Sequence, residues 1–372
     1  MWAIALKEFR QLRRDRRTMA MLFLLPFLFL IVFGYAASFD VKQVPTTVVG
    51  PGAELIAPLL PEQLDVQRTD TEGGAPEAHD ALRRGEAVVA VIAPGAAGES
   101  PQVLIDGTEL FAAQAAIRSL AELQAGGMQK PPQPDPEASS TAGGQTPSAL
   151  GATQVDILFN PDLRTAVIMI PGLCGIILVF VGTIATALGV VRERQDGTLE
   201  QLAVMPFRPR DVFIGKIAPY LLIAAIDMVV IVLAGVLIFD VPFRGSPATF
   251  ALGAILFLFV TLGVGVLIST MSQTQGQAIQ LSILFMVPQF LLTGLFFPLY
   301  SMAAGVRWIG YILPLTYFIK VARGVMVRGT PISSLWIPLA VLAVMAIGVF
   351  ALSTWRFRRD LAPADTQARA DQ

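Results

Sequence analysis

The longest stretch of this 372-residue sequence without a charged side chain runs from Gly245 to Val306. Two further uncharged stretches cover Ala166 to Val191 and Thr18 to Phe39. A helix that crosses a bilayer needs about 20 predominantly apolar residues, so each stretch is long enough to span a membrane. Charged residues make up 15% of the chain, below the quarter that is typical of soluble domains. The sequence therefore predicts a mainly helical membrane protein.

Dividing these stretches at their polar interruptions predicts six transmembrane helices. The polar turn SQTQGQ (272–277) separates two spans within the longest stretch. Asp227 lies near the middle of another span that is otherwise strongly apolar. The predicted spans are residues 18–39, 166–191, 214–239, 248–271, 278–294 and 332–355.

Basic residues are distributed unevenly among the segments that flank the spans. They cluster before the first span, in the 192–213 loop and directly after the last span, whereas the 240–248 loop has only Arg244. Because cytoplasmic loops carry an excess of Lys and Arg, both termini and the 192–213 loop are predicted to be cytoplasmic. The tail 356–372 is then cytoplasmic, and the long insert 40–165 lies outside.

Residues 1–17 place Trp2, Leu6 and Phe9 on one helical face and most of their basic residues on the others. Such an amphipathic helix is predicted to lie along the inner membrane surface. Two roles fit it, either an anchor that fixes topology or a lever that also contacts a cytoplasmic partner. The first span also resembles a secretory signal peptide, but its uncharged run is longer than the roughly 7–15 residues of a signal core.

The insert 40–165 reads as a small α/β domain, because short buried strand patterns alternate with helical patterns along it. Its 126–151 segment is rich in Pro, Gly, Ser and Thr and is predicted to be a flexible loop. The predicted strands are 46–50, 87–93 and 102–106, and the predicted helices are 76–85 and 109–127.

The 192–213 loop carries helix signals of its own. Thr198 and Gln201 have the spacing of a capping box, and the prolines that follow end the helix after about two turns. The result is a short helix along the membrane surface that presents Leu199 and Glu200 to the cytoplasm. The alternative is an ordinary amphipathic turn within a loop.

Asp227 lies near the centre of the third predicted span, where a charged side chain costs about 2.5–3.5 kcal/mol to insert. It is therefore expected to face the interior of the helix bundle. Two roles remain open for it. It is either a protonated or hydrogen-bonded tie between helices, or part of a substrate path together with Gln289 and Thr293 of the fifth span.

The chain resembles the permease subunits of ABC transporters of the type-2 exporter class over nearly its whole length. Two features depart from the usual pattern: Ala303 stands where proline is common, and the 126–151 loop matches poorly. The segments that carry the resemblance are LIDGTEL (104–110), FNPDLR (159–164), RERQDGTLEQL (192–202), GKIAPY (215–220), FDVPFRGS (239–246), LIST (267–270), LTGLFFPLYSM (292–302) and LPLTYFIKVARGV (313–325).

The resemblance implies that the short helix in the 192–213 loop is a coupling helix, seated in a cleft of a separate ABC ATPase. ATP and magnesium would bind to that ATPase, and this chain would bind no cofactor itself. The residues that the resemblance assigns to coupling are Arg192, Glu193, Arg194, Gly197, Thr198, Leu199, Glu200, Gln201 and Leu202.

The resemblance also implies that residues 295–328 fold back into the outer leaflet as re-entrant helices, with an outer gate at Phe296, Phe297 and Pro298. A second permease, either identical or a close paralogue, would complete the path. The second span contains glycines that permit close helix contact, and this contact lies either between two permeases or within one. These glycines are Gly172, Gly175 and Gly182.

Enzyme chemistry finds no support in the sequence. The GK at 215–216 is followed by Ile217 and lacks the glycine-rich cradle of a phosphate-binding loop. With one histidine, His79, and one cysteine, Cys174, the chain offers no Cys-based zinc site and no multi-histidine metal site. The net charge of −1 gives no indication of a nucleic-acid partner.

The sequence therefore predicts the permease subunit of an ATP-driven exporter in the bacterial inner membrane, with its α/β domain in the periplasm. It would move a hydrophobic or amphipathic, drug-like or lipid-like compound out of the cytoplasm or inner leaflet by alternating access. Membrane lipid and a periplasmic adaptor are further candidate partners. The alternatives are a secondary transporter, which would ordinarily show internal repeats, and a membrane-anchored sensor, which would need a cytoplasmic output domain.

Overall fold

The computed structural model of the chain separates two compact units. The sheet domain lies within Phe39–Ile168, and the described part of the membrane unit begins at Met169. The structure describes residues 43–96, 99–126, 154–195 and 209–360.

Several predicted segments lie outside the described residues and stay predictions. These are the interfacial helix 1–17, the first span 18–39, the coupling helix 197–202, nearly all of the 126–151 loop, and the tail beyond Asp360.

The sheet domain is built on one five-stranded sheet with the strand order β2-β1-β3-β4-β5. The pair β3–β4 is antiparallel, and every other neighbouring pair is parallel. The strands are β1 Val44–Val49, β2 Leu64–Asp70, β3 Val89–Ile92, β4 Gln102–Asp106 and β5 Gln154–Leu158.

Helices pack against this sheet and contribute buried side chains to its core. Leu82 is fully buried and packs together with Ala90 of β3 and Leu104 of β4. Because these side chains leave water together, they hold helix and sheet in one core. The helices are α1 Ala53–Ile56, α2 Ala75–Arg84 and α3 Leu110–Gly126.

The three predicted strands and both predicted helices of this domain are confirmed, but the sequence does not reveal the edge strands β2 and β5. The segment of β2, LDVQRTD, is mostly polar and largely half-buried or exposed. An edge strand needs to bury less apolar surface than a central one, so it lacks the apolar run by which β1, β3 and β4 are recognised.

The connection from β5 into α4 (Thr165–Phe180) is held by the buried side chain of Asn160. Its Nδ2 donates to the carbonyl oxygens of Gly107 and Arg164 at 3.2 Å each, and its Oδ1 accepts from the Arg164 backbone N–H at 3.0 Å. The neighbouring Phe159 and Leu163 have φ angles of 67° and 49°. Since side chains rarely adopt such angles, the Asn160 bonds help to hold a strained turn.

The described part of the membrane unit consists mainly of helices. Two wide π-helical turns interrupt them, at Val181–Ala185 between α4 and α5 and at Gly324–Arg328 after α10. Besides α4, the helices are α5 Thr186–Gln195, α6 Pro209–Ile238, α7 Pro247–Met271, α8 Gln275–Leu292, α9 Ala304–Ile312, α10 Pro314–Arg323 and α11 Trp336–Asp360.

The chain is a multi-pass membrane protein by the length and composition of these helices. In the described part, α9 and the helix from Pro314 to Arg328 meet at a bend of 78°. Together they form either a broken span or a re-entrant loop. α8, at the position of the predicted fifth span, contains four glutamines that lower its hydropathy, so the six-span layout stays a prediction. The helical segments that are long and apolar enough to cross a membrane are Thr165–Arg192, Tyr220–Ile238, Pro247–Met271 and Trp336–Arg356.

The glycines of the second predicted span pack within the subunit. A Cβ added at Gly172 would meet the α8–α9 connection, and one at Gly175 would meet α10. A Cβ at Gly182 would lie 2.5 Å from the hydroxyl oxygen of Thr261 in α7. These glycines are predicted to allow helix contact either between two permeases or within one. The structure supports contact within one permease.

A glycine of α7 also packs closely against the first π-turn. A Cβ at Gly265 would lie 2.8 Å from the carbonyl oxygen of Thr183 and 3.0 Å from that of Gly182. Main-chain atoms thus face each other directly, as they do where small residues pair in membrane helices. The four elements α4, the π-turn, α5 and α7 consequently form a tightly packed group.

Candidate coupling and translocation sites

The end of α5 that adjoins the predicted coupling helix is bonded to the α7–α8 turn. Nη1 of Arg194 donates to the carbonyl oxygens of Ser269 at 3.1 Å and Ser272 at 3.0 Å. Beside it, Nε2 of Gln275 donates to Oε1 of Gln195 at 2.9 Å. The last turn of α5 is therefore joined to both helices that meet in this turn.

The other residues assigned to coupling are placed differently or lie outside the described part. Arg192 is in the last turn of α5 and is exposed, and Glu193 occupies the same turn. Gly197 to Leu202 fall outside the described residues, so their coupling role stays a prediction.

An apolar groove of about 460 Å³ lies between α4 and α8. Its wall includes Ile177 and Phe180 of α4, which are 38% and 51% exposed, and Phe290 of α8. Among the residues that the structure describes, no polar side chain contributes to its lining. The lining residues are Ile176, Ile177, Phe180, Met286, Val287, Phe290 and Leu291.

Gln289 and Thr293, predicted for the substrate path, lie in α8 and at its end and are not among the groove residues. Both are almost fully buried. Oε1 of Gln289 accepts from the backbone N–H of Leu315 at 3.2 Å, and the Thr293 hydroxyl donates to the Gln289 carbonyl oxygen at 2.6 Å. Since the first N–H groups of a helix have no partner within it, the Gln289 side chain helps to satisfy the start of α10.

Asp227, the third predicted path residue, is half-buried in α6. It lies on the helix beside the buried Ala224 and Met228 and is flanked by exposed Ile226 and Val229. This position borders the packed side of α6, so both roles proposed for the carboxylate stay predictions.

The predicted outer gate residues follow α8 directly. The ring of Phe296 lies 4.8 Å from that of Phe290 in the groove wall, measured between centroids. Phe297 packs against the buried cluster that contains Leu291, and Pro298 is buried. The gate segment and the groove are therefore in direct contact, through the Phe290–Phe296 pair and through the cluster that contains Leu291.

A buried arginine that the sequence reasoning did not single out holds this gate segment to α10. Arg323 is 4% exposed, and its Nη2 donates to the carbonyl oxygen of Leu295 at 3.0 Å. Nη1 donates to the carbonyl oxygen of Gly294 at 3.4 Å, and Gly294 has a φ of 83°, which favours glycine. A cation within an apolar helix was the available signal, since such a residue is expected to have internal partners.

Comparison with known proteins agrees with this architecture. The sequence pattern of the ABC-2 family of transporter proteins matches residues 16–355 of the chain. The chain is 29% identical to the probable multidrug ABC transporter permease YbhS of Escherichia coli K12 over 379 residues, which cover 95% of this chain and 96% of that protein.

Other relatives match about half of the chain. The inner membrane transport permease YhhJ of Escherichia coli K12 is 33% identical over 211 residues, covering 55% of this chain and 54% of that protein. The ABC transporter G family member 20 of Dictyostelium discoideum is 26% identical over 193 residues, covering 52% of this chain and 26% of that protein. No solved structure matches the chain.

The family pattern spans the whole sheet domain and all but the last residues of the described membrane unit. Because the match includes the sheet domain as well as the membrane helices, it cannot be explained by similar apolar composition of the helices alone. The chain therefore belongs to the ABC-2 family of transporter proteins and carries its membrane permease domain.

Proposed function

We propose that this chain is the permease of an ATP-driven exporter that carries a hydrophobic or amphipathic compound along the groove between α4 and α8. The groove is the observation that carries the proposal. Its volume of about 460 Å³ lies within the range of roughly 300–1,000 Å³ that is usual for small-molecule sites. All of its lining side chains are apolar, so a cargo gains affinity by removing its own apolar surface from water.

The same lining argues for broad selectivity. Apolar contact discriminates weakly between cargoes of similar size, because no buried polar group is left unpaired by the wrong compound. The name of the relative YbhS, a probable multidrug ABC transporter permease, is consistent with such a site. Phe296 closes the outer end of the groove against Phe290 in this proposal.

The energy for transport comes from a partner in this proposal. Membership of the family implies an ABC ATPase, which binds ATP and magnesium. Gly197 to Leu202 dock on that ATPase as the coupling helix, and closure of the ATPase moves α5 and the helices packed against it. Alternating access of the groove to the two sides of the membrane follows from that movement.

The coupling helix provides the test of this function. Leu199→Asp and Glu200→Lys should each lower ATP-dependent transport by about tenfold or more, since a two-turn docking helix cannot compensate for an added or reversed charge. Uptake of a fluorescent apolar dye into inverted vesicles measures ATP-dependent transport. Co-purification of the ATPase measures its docking on the coupling helix.

Matched controls for these variants lie in the sheet domain. Leu55→Asp and Glu62→Lys make the same chemical changes at exposed positions and should leave transport unchanged. Wild-type transport together with normal ATPase recovery in both coupling-helix variants would exclude the proposed docking. Transport by the chain without any ATPase would instead favour a secondary transporter.

The proposal includes a second permease that meets the exposed face of α4. Leu173 and Phe180 are 37% and 51% exposed on this face, while the glycines of the same helix are used inside the subunit. Single cysteines at these two positions, in a Cys174→Ser background, should give dimers with a short thiol cross-linker. Ile347→Cys on α11, which is 71% exposed, is the control and should stay monomeric. Monomers alone at both α4 positions would contradict this interface.

A further inference from the structure

We propose that Arg194 does not contact the ATPase but clamps the end of α5 to the α7–α8 turn, so that movement of the coupling helix is passed on to the groove. The inference rests on the proposed function, because it assigns a route to the movement that the ATPase drives. Arg194 is then a positioning residue, which takes part in coupling through the α7–α8 turn and not through the ATPase surface.

The geometry of Arg194 fits a clamp. One nitrogen, Nη1, donates to two main-chain oxygens, those of Ser269 and Ser272, at 3.1 and 3.0 Å. These carbonyls belong to the C-terminal end of α7, where the last four carbonyl groups of a helix have no partner within it. A cation at this end is also favoured by the helix dipole. The Ser269 carbonyl also accepts from the Ser272 backbone N–H at 3.4 Å, so the guanidinium adds a shorter bond there and a bond to the Ser272 carbonyl that follows it.

The contact between the end of α5 and the α7–α8 turn, called the junction below, is supported by a second polar bond and by a layer of apolar side chains. Nε2 of Gln275, the first residue of α8, donates to Oε1 of Gln195 at 2.9 Å. Directly within the junction, Val191 of α5, Ile268 of α7 and Ala278 of α8 are buried together in one cluster. The three helix ends therefore share one packed layer.

This junction leads to the groove. α8 starts at the junction and carries Met286 and Phe290 into the groove wall further along. α7 is packed against the first π-turn through Gly265. A displacement of the α5 end, if the clamp holds, therefore moves α7 and α8 with it and changes the wall of the cargo site.

Arg194→Gln in the complete transporter complex tests the inference. We expect the ATPase to co-purify in the wild-type amount and to keep its basal hydrolysis rate, because the docking residues 197–202 are unchanged. The number of dye molecules moved per ATP should fall about tenfold or more. Arg356→Gln, which removes an exposed arginine at the end of α11, is the matched control and should keep the wild-type ratio.

A cross-link provides a second measurement that does not depend on the Arg194 variant. Gln195→Cys and Gln275→Cys, in a Cys174→Ser chain that keeps Arg194, can be joined by a short bifunctional thiol reagent. Transport should persist after cross-linking, because the two helix ends are proposed to move as one. In the Arg194→Gln background, the same cross-link should restore transport.

Three results would overturn the clamp. They are loss of the ATPase from the Arg194→Gln complex, a wild-type transport ratio in that variant, and inhibition by the cross-link in the chain that keeps Arg194. Failure of the proposed function looks different, since the unmodified complex would then show no ATP-dependent transport at all.

Discussion

The Gly265→Leu substitution should destabilise the membrane unit by about 3 kcal/mol and remove most of the folded protein from detergent extracts. A Cβ at this position would lie 2.8 Å from the Thr183 carbonyl oxygen and 2.9 Å from the Thr186 Cβ. A main-chain oxygen cannot turn away as the end of a flexible side chain can. The leucine would therefore force α7 away from the π-turn, where main-chain oxygens of Gly182 and Thr183 face Gly265.

The matched control is Gly348→Leu on α11, where an added Cβ meets nothing within 4 Å. Both substitutions replace glycine within a helix, so the gain in helix propensity is similar. The melting temperature and the monodisperse yield of the two variants separate the packing effect from the propensity effect. Equal stability of the Gly265→Leu and Gly348→Leu variants would show that the close approach at α7 is not required.

Transport of apolar cargo should fall about tenfold or more in the Ile177→Trp variant, because the larger side chain occupies part of the groove between α4 and α8. Ile177 is 38% exposed and lines the groove, so a tryptophan there needs no rearrangement of the core. The loss should be greatest for bulky cargo and smaller for compact cargo, because the remaining space still admits a small molecule.

Ile347→Trp is the control for this variant, since Ile347 is 71% exposed on α11 and away from the groove residues. Uptake of a series of dyes of increasing size, with ATPase content and cross-linked dimer yield measured in parallel, distinguishes a filled cargo site from a failed assembly. Unchanged uptake of the largest dye would exclude the groove as the path.

The sheet domain shows which parts of a fold a sequence can reveal. β1, β3 and β4 carry their own apolar runs, and α2 has its Gly85 C-cap, so each can be recognised from local residues. β2 and β5 are strands because of the neighbour to which each is bonded. The antiparallel pairing of β3 with β4 is likewise a property of the assembled sheet, and no residue pattern within either strand indicates it.

In the membrane unit, absence of charge indicates which segments are apolar helices but not what each helix packs against. As polar residues in an apolar span, Gln289 and Thr293 are predicted for a cargo path, and that role stays a prediction. The structure adds what the sequence does not indicate: both are buried, and Gln289 is bonded to Leu315 across 26 residues of sequence. The groove brings together Ile177 and Phe290, and such apolar positions resemble lipid-facing ones until the helices are assembled.

The bonds of Arg323 have a consequence for how the chain enters the membrane during synthesis. Its guanidinium reaches the carbonyl oxygens of Gly294 and Leu295, which precede it by 29 and 28 residues. Both acceptors therefore leave the ribosome before the arginine does. An arginine inserted without partners would be disfavoured by about 2.5–3.5 kcal/mol at mid-membrane depth, whereas here the acceptors at the end of α8 are already in place. The order of segments along the chain is thus also a workable order of insertion, with α8 preparing the site that receives the charge of α10.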